Sequence, residues 1–148
     1  MDFDRLRMLA HMEEYLKICQ TPVYPATLYA SRDIEAKRKS ESRGMIMWQG
    51  YLQAIGETIR HDARYTARLR AAIVALAIER ARLASSRLPE KLSELVPAYL
   101  AEVPVDPFNG QPMHYKKLPK GYVVYSVGED GVDDGGNEQK DITFTIER

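Results

Sequence analysis

From Asp62 to Ser85 the chain carries one uninterrupted helical pattern, which restricts the fold more than any other stretch. Tyr65, Leu69, Ala72, Ile73, Leu76, Arg80 and Leu83 fall on one stripe, with only Arg80 polar. Val74, Ala77, Ile78 and Ala81 form a second apolar face. A helix apolar on two sides is expected to be covered on two sides, by a sheet on one and by another helix or a partner on the other. The pattern starts at Met45, but Gly50 and Gly56 each cost ~1 kcal/mol against Ala, so a bend or break is expected there.

The material for the covering sheet lies downstream. Met113 to Leu118 and Tyr122 to Val127 read as strands joined by Pro119-Lys120-Gly121, a short hairpin connection. Tyr122, Val124 and Ser126 face one way, and Val123, Tyr125 and Val127 the other. Ile142 to Ile146 alternates Ile-Thr-Phe-Thr-Ile, with one apolar face. Three successive strands predict an antiparallel meander, and with the long helix an α+β fold. Between helix and sheet, Pro89 and Glu90 read as a helix start with Leu92, Leu95 and Val96 as its apolar edge, ended by Pro97 after about two turns. "VPVDPFNGQP", Val103 to Pro112, is turn chemistry, with three prolines and an Asn-Gly pair.

Upstream, Phe3 to Gln20 has amphipathic helical spacing, Thr21 to Pro25 breaks it, and the charged stretch Asp33 to Arg43 reads as a solvated helix or a linker. The expected division is therefore 1–44, a helical and charged extension, and 45–148, the α+β domain. Lys plus Arg equals Asp plus Glu, 21 each, so overall charge points to no partner. Basic residues prevail from Arg32 to Arg87, but arginines on a helix face read as solvation rather than as a nucleic-acid surface. A single cysteine, Cys19, excludes an intrachain disulfide and reads as a buried thiol. No apolar run reaches the ~20 residues that span a bilayer. The acidic start, Met1 to Asp4, does not read as a signal peptide.

The acids gather elsewhere. "YSVGEDGVDDGGNEQKD", Tyr125 to Asp141, holds four aspartates and two glutamates among glycines. Two readings stand: the loop wraps a hard cation with its carboxylates and backbone carbonyls, or it is a solvated, poorly ordered turn. An EF-hand is excluded, because its third ligand position falls on Val132 or on Gly135 in the two possible registers.

"RLPEKLSELVPAYL", "VPVDPFNGQPMHYK", "YVVYSVGEDGVDDGG" and "KDITF" follow one another in an order and spacing that resembles the globular part of the type II secretion major pseudopilin and its relatives. Similar segments also end other bacterial proteins. The resemblance covers about residues 63–146 and implies a pilin-like fold, with a long N-terminal helix packed on a three-stranded antiparallel sheet. It also implies a calcium ion in the acidic loop, held by the side chains of Asp130 and Asp141 and the Val127 carbonyl, with Asp133 and Asp134 as local alternatives. Such an ion would turn carboxylate repulsion into a clip between strands. A pilin's basic leader, cleavage site and long apolar helix do not match Met1 to Gly44. The chain is then either part of a longer envelope-linked protein, with any membrane link upstream, or a pilin-like domain put to another use. The periplasm or envelope is expected in the first case and the cytoplasm in the second.

Catalytic signals are weak. His11, His61 and His114 have no metal-ligand spacing, His61-Asp62 reads as a turn cap, and no nucleophile elbow, phosphate loop or dinucleotide fingerprint occurs. The expectation is a non-enzymatic domain that meets a protein partner or a second copy. Met45, Met47 and Trp48 form an apolar spot that is either core or a docking patch. In the competing reading the chain is a helical partner-binding module without metal, docking through Phe3–Gln20 and Met45–Arg60.

Overall fold

The computed structural model describes residues 9, 10, 12–14, 16, 17, 24–41 and 46–147, with the side chains of 37–49, 51 and 52 outside that description. Within the expected Phe3–Gln20 helix, the described residues are helical. Helix α1 follows at Ala26–Glu41 and helix α2 at Ile46–Ser85. A short 3₁₀ turn, Leu92–Leu95, precedes strands β1 (His114–Leu118), β2 (Gly121–Ser126) and β3 (Ile142–Glu147). The fold is α+β, with one antiparallel sheet in the order β1-β2-β3. By the contacts its residues make, the chain forms two compact units, 1–62 and 63–148, a division inside α2 rather than at the expected residue 44.

In the first unit, Leu28 and Ile34 of α1 and Ile59 of α2 are buried. The stretch Asp33 to Arg43, read as helix or linker, is helical to Glu41. The expected break at Gly50 and Gly56 does not occur, since α2 runs continuously through both. At Gly56 the reason is close approach: the Glu35 carboxylate occupies the space where a Cβ would stand. Glu35 is there to pair with Arg60 at 3.1 Å, and Arg60 also pairs with Glu57 at 2.8 Å. The Glu57 bond, more than Glu35, holds the Arg60 guanidinium above its ordinary pKa. Met45 lies outside the described residues, as do the side chains of Met47 and Trp48, so the apolar spot expected there is not described.

In the second unit one core joins Val74 and Ile78 of α2 to Leu95, Met113, Tyr122 and Val124. Alanines at 63, 67, 71 and 75 recur every four residues and are buried, which lets other backbone approach that face closely. The Tyr122 hydroxyl donates to the Ala75 carbonyl at 3.2 Å and to Glu79 at 3.0 Å, anchoring β2 to the helix. Among the described residues the sheet covers one of the two apolar faces, while Tyr65, Leu69, Ile73, Leu76 and Leu83 remain exposed, so no helix of the chain supplies the second cover there.

The strands form the expected antiparallel meander, with Leu118 pairing with Gly121 and Tyr122 with Ile146, so Gly121 belongs to β2 rather than to the connection. Gly121 has φ +112°, and a Cβ there would run into the Ile146 carbonyl oxygen, so the hairpin needs glycine. The segment after Pro89 is a single 3₁₀ turn rather than a two-turn helix. Glu94 explains this: its Oε1 accepts the backbone N–H groups of Glu90 and Lys91 at 2.9 and 3.2 Å, which closes the turn locally.

Candidate functional site

Two of the quoted segments, "VPVDPFNGQPMHYK" and "YVVYSVGEDGVDDGG", meet at one buried carboxylate. Asp106, fully buried, accepts from the Phe108 N–H at 2.8 Å, which shapes the "DPFNGQP" turn. It also accepts from the Ser126 hydroxyl at 2.9 Å and the Val127 N–H at 2.8 Å, at the end of β2. A buried carboxylate with three donors is a firm joint, because each bond to a charged acceptor is stronger than a neutral one. Asp106 therefore fixes the point from which the acidic loop departs. Sequence reasoning assigned it no role, although its place before proline in a turn motif signalled one.

From Val127 the loop folds back over the sheet. Gly136 packs against Val123 and the Tyr125 ring, on the face opposite the Tyr122–Val124 core. That cover explains why Val123 and Tyr125 are buried, nearly as fully as Tyr122 and Val124. Asp134 to Gly136 are half-buried by this contact, while Asp130 to Asp133 and Asn137 to Lys140 are exposed, so the acids of the loop have distinct surroundings.

Asp133 is committed to the sheet. Its Oδ1 accepts from the Tyr125 hydroxyl at 3.0 Å and from the Gly135 N–H at 2.9 Å. Its Oδ2 lies 3.4 Å from His114 Nδ1, and the His114 ring stacks on Tyr125 at 5.1 Å. The Gly135 N–H, then the Tyr125 hydroxyl and the charges of His114 and Lys116, hold the Asp133 carboxyl below its ordinary range. Burial, helped by Asp133, pushes the Tyr125 hydroxyl up to about 12. Asp133 acts here as a clasp between loop and strand.

Asp141, at the start of β3, is different. It is only 5% exposed. Its Oδ2 accepts from the Gly136 and Asn137 N–H groups at 2.8 and 3.0 Å, while its Oδ1 is buried with no hydrogen-bond partner. Asp134 repeats the pattern, with Oδ1 bonded to Lys140 Nζ at 2.7 Å and Oδ2 buried without a partner. Buried carboxylate oxygens normally find donors, and one that does not leaves room for a water or a cation to pair with it. Asp130 spends one oxygen on the Val132 N–H at 3.1 Å.

These acids surround a cation of the chain itself. The Lys140 ammonium is held above its ordinary pKa by its bond and proximity to Asp134, with Asp130 and Asp141 adding to the effect. Asp130, Lys140 and Asp141 line an open cleft of about 420 Å³ with Gly128, Glu129, Arg64 and Arg68. Arg64 pairs with Glu129 at 2.7 Å and so takes that acid out of the field. Among the described residues, no three His, Cys, Asp or Glu side chains converge closely enough to hold a metal ion as they stand. Asp134 Oδ2 and Asp141 Oδ1 are each buried without a hydrogen-bond partner, and carboxylate oxygens of this kind are the ligand type that hard cations take, together with carbonyls and water. Val127 is buried, its N–H held by Asp106, and its neighbour Gly128 lines the cleft.

Among the described residues, His61 and His114 belong to no group that could hold a metal ion. His61 and Asp62 lie within α2 rather than at a turn, Asp62 accepting from the Tyr24 hydroxyl. No helix among the described residues is long and apolar enough to cross a membrane. Comparison with protein-family models, with curated proteins and with solved structures gives no match for this chain.

Proposed function

We propose that residues 63–148 form a pseudopilin-like, non-enzymatic interaction domain, of the kind used in secretion or at the cell envelope, whose acidic loop takes a calcium ion. One observation carries the reading: the Asp141 carboxylate is buried at the start of β3 with one oxygen unpaired. Asp141 is the principal ligand, joined by Asp130 from the same cleft and by Asp134, while Asp133 stays with Tyr125. Two motifs joined by Asp106, three antiparallel strands in sequence order and a helix sharing their core support the pilin-like part.

The chain's own residues set the electrostatics. Lys140 neutralises part of the acidic cluster without metal and competes with a divalent ion for it. When bound, calcium supplies two positive charges and a flexible oxygen shell. Drawing Asp130 and Asp141 onto one ion fastens the loop to the residue that leads into β3, so binding energy becomes folding energy.

Thermal unfolding tests the reading. Millimolar calcium raises the melting temperature of the full chain and EDTA lowers it. Asp141→Asn, which keeps an acceptor for the Gly136 and Asn137 N–H groups, abolishes the shift. Lys140→Gln enlarges it. An unchanged melting curve at millimolar calcium would overturn the metal site.

A further inference from the structure

The exposed face of α2 is the largest feature that the calcium reading leaves unused. Leu69, Leu76 and Leu83 stand seven residues apart and are 63%, 66% and 73% exposed. Tyr65 and Ile73, on the same face, are 67% and 42% exposed. Seven-residue spacing of leucines on one helix is the pattern of a seam between helices, and this seam lies opposite the alanine face turned to the core. We propose that this face is the self-association surface of the protein, and that two copies pair through it with their α2 helices antiparallel.

The area is sufficient. A bare side chain of this size presents on the order of 150–200 Å², so the five residues offer roughly 500 Å² per copy and roughly 1,000 Å² per pair, where specific interfaces begin. Charge selects a second copy and sets its direction. Arg80, whose guanidinium lies 6.0 Å from the Tyr99 ring centroid in the same copy, is the one cation in the stripe, and Asp62, which accepts from the Tyr24 hydroxyl, lies about five turns earlier on the same face. Parallel pairing would set Arg80 against Arg80. Antiparallel pairing, with Leu69 of one copy opposite Leu76 of the other, brings each Arg80 to the end that carries Tyr65 and Asp62. There the guanidinium meets an aromatic face and a carboxylate.

Light scattering coupled to size exclusion tests this on the full chain. The proposal predicts twice the monomer mass at about 100 μM, a regime suited to an interface of this modest size. Leu76→Asp, at a position outside the core, returns the mass to that of a monomer with an unchanged circular dichroism spectrum. In a Cys19→Ser background, Ala72→Cys near the centre of the seam cross-links two copies under mild oxidation, whereas Leu83→Cys at its end does not. A monomer at that concentration, a dimer that survives Leu76→Asp, or cross-linking through Leu83→Cys alone would each overturn it. The outcome does not depend on calcium, so it stands or falls apart from the metal site.

Discussion

Asp106 and Tyr125 are the residues on which the second unit most depends. Replacing Asp106 with Ala strands the Val127 and Phe108 N–H groups and the Ser126 hydroxyl in a buried place. Unsatisfied buried donors cost about 1–3 kcal/mol each, so Asp106→Ala is expected to lose about 3–5 kcal/mol in urea unfolding, and Asp106→Asn less. Tyr125 reports through pH. Its folded-state pKa, pushed from 10.0 up to about 12, means that the fold prefers the neutral phenol. That contribution is complete below pH 10 and is lost as pH rises from 10 through 12. Tyr115, raised to about 12 by burial and by Glu90 and Glu94, adds to the same alkaline loss. Urea unfolding at about pH 9 and about pH 11 should show the drop, and Tyr125→Phe should make it shallower.

The elements differ in how openly the residues announce them. The β1–β2 hairpin depends on Gly121, and Gly121→Ala meets both a forbidden φ and the Ile146 carbonyl. It is expected to cost at least about 3 kcal/mol in urea unfolding, far beyond the ~1 kcal/mol of an ordinary strand substitution. The strands were legible because β-branched and aromatic residues alternate there with period two. So was α2, from its period of 3.6, although its glycines misled: propensity is local, and Gly56 stands in the helix because a side chain 21 positions away, Glu35, fills the place of a Cβ. The 3₁₀ turn was misread as a longer helix because Glu94 can close a turn as readily as open a helix. Two apolar stripes on α2 were legible too, but a periodicity says that a face wants cover, not that the same chain provides it.

At the scale of the whole molecule, the second unit is a sheet covered twice: by the core residues of α2 on one face and by the acidic loop on the other. Composition showed where the negative charge gathers. It did not distinguish Asp133, tied to Tyr125 and Gly135, from Asp141, buried with an unpaired oxygen, because that difference arises from folding across 16 residues of loop and strand. Nor did it mark Lys140 as an internal competitor for the same acids, since adjacency in sequence to Asp141 hides its bond to Asp134. The account therefore rests on the claim that the buried Asp141 carboxylate is a cation ligand. Isothermal titration of calcium into the metal-free full chain tests it most directly. The account predicts one saturable site that is lost in Asp141→Asn and kept in Asp133→Asn. No heat of binding at millimolar calcium, or the same isotherm for Asp141→Asn as for the unaltered chain, would contradict it.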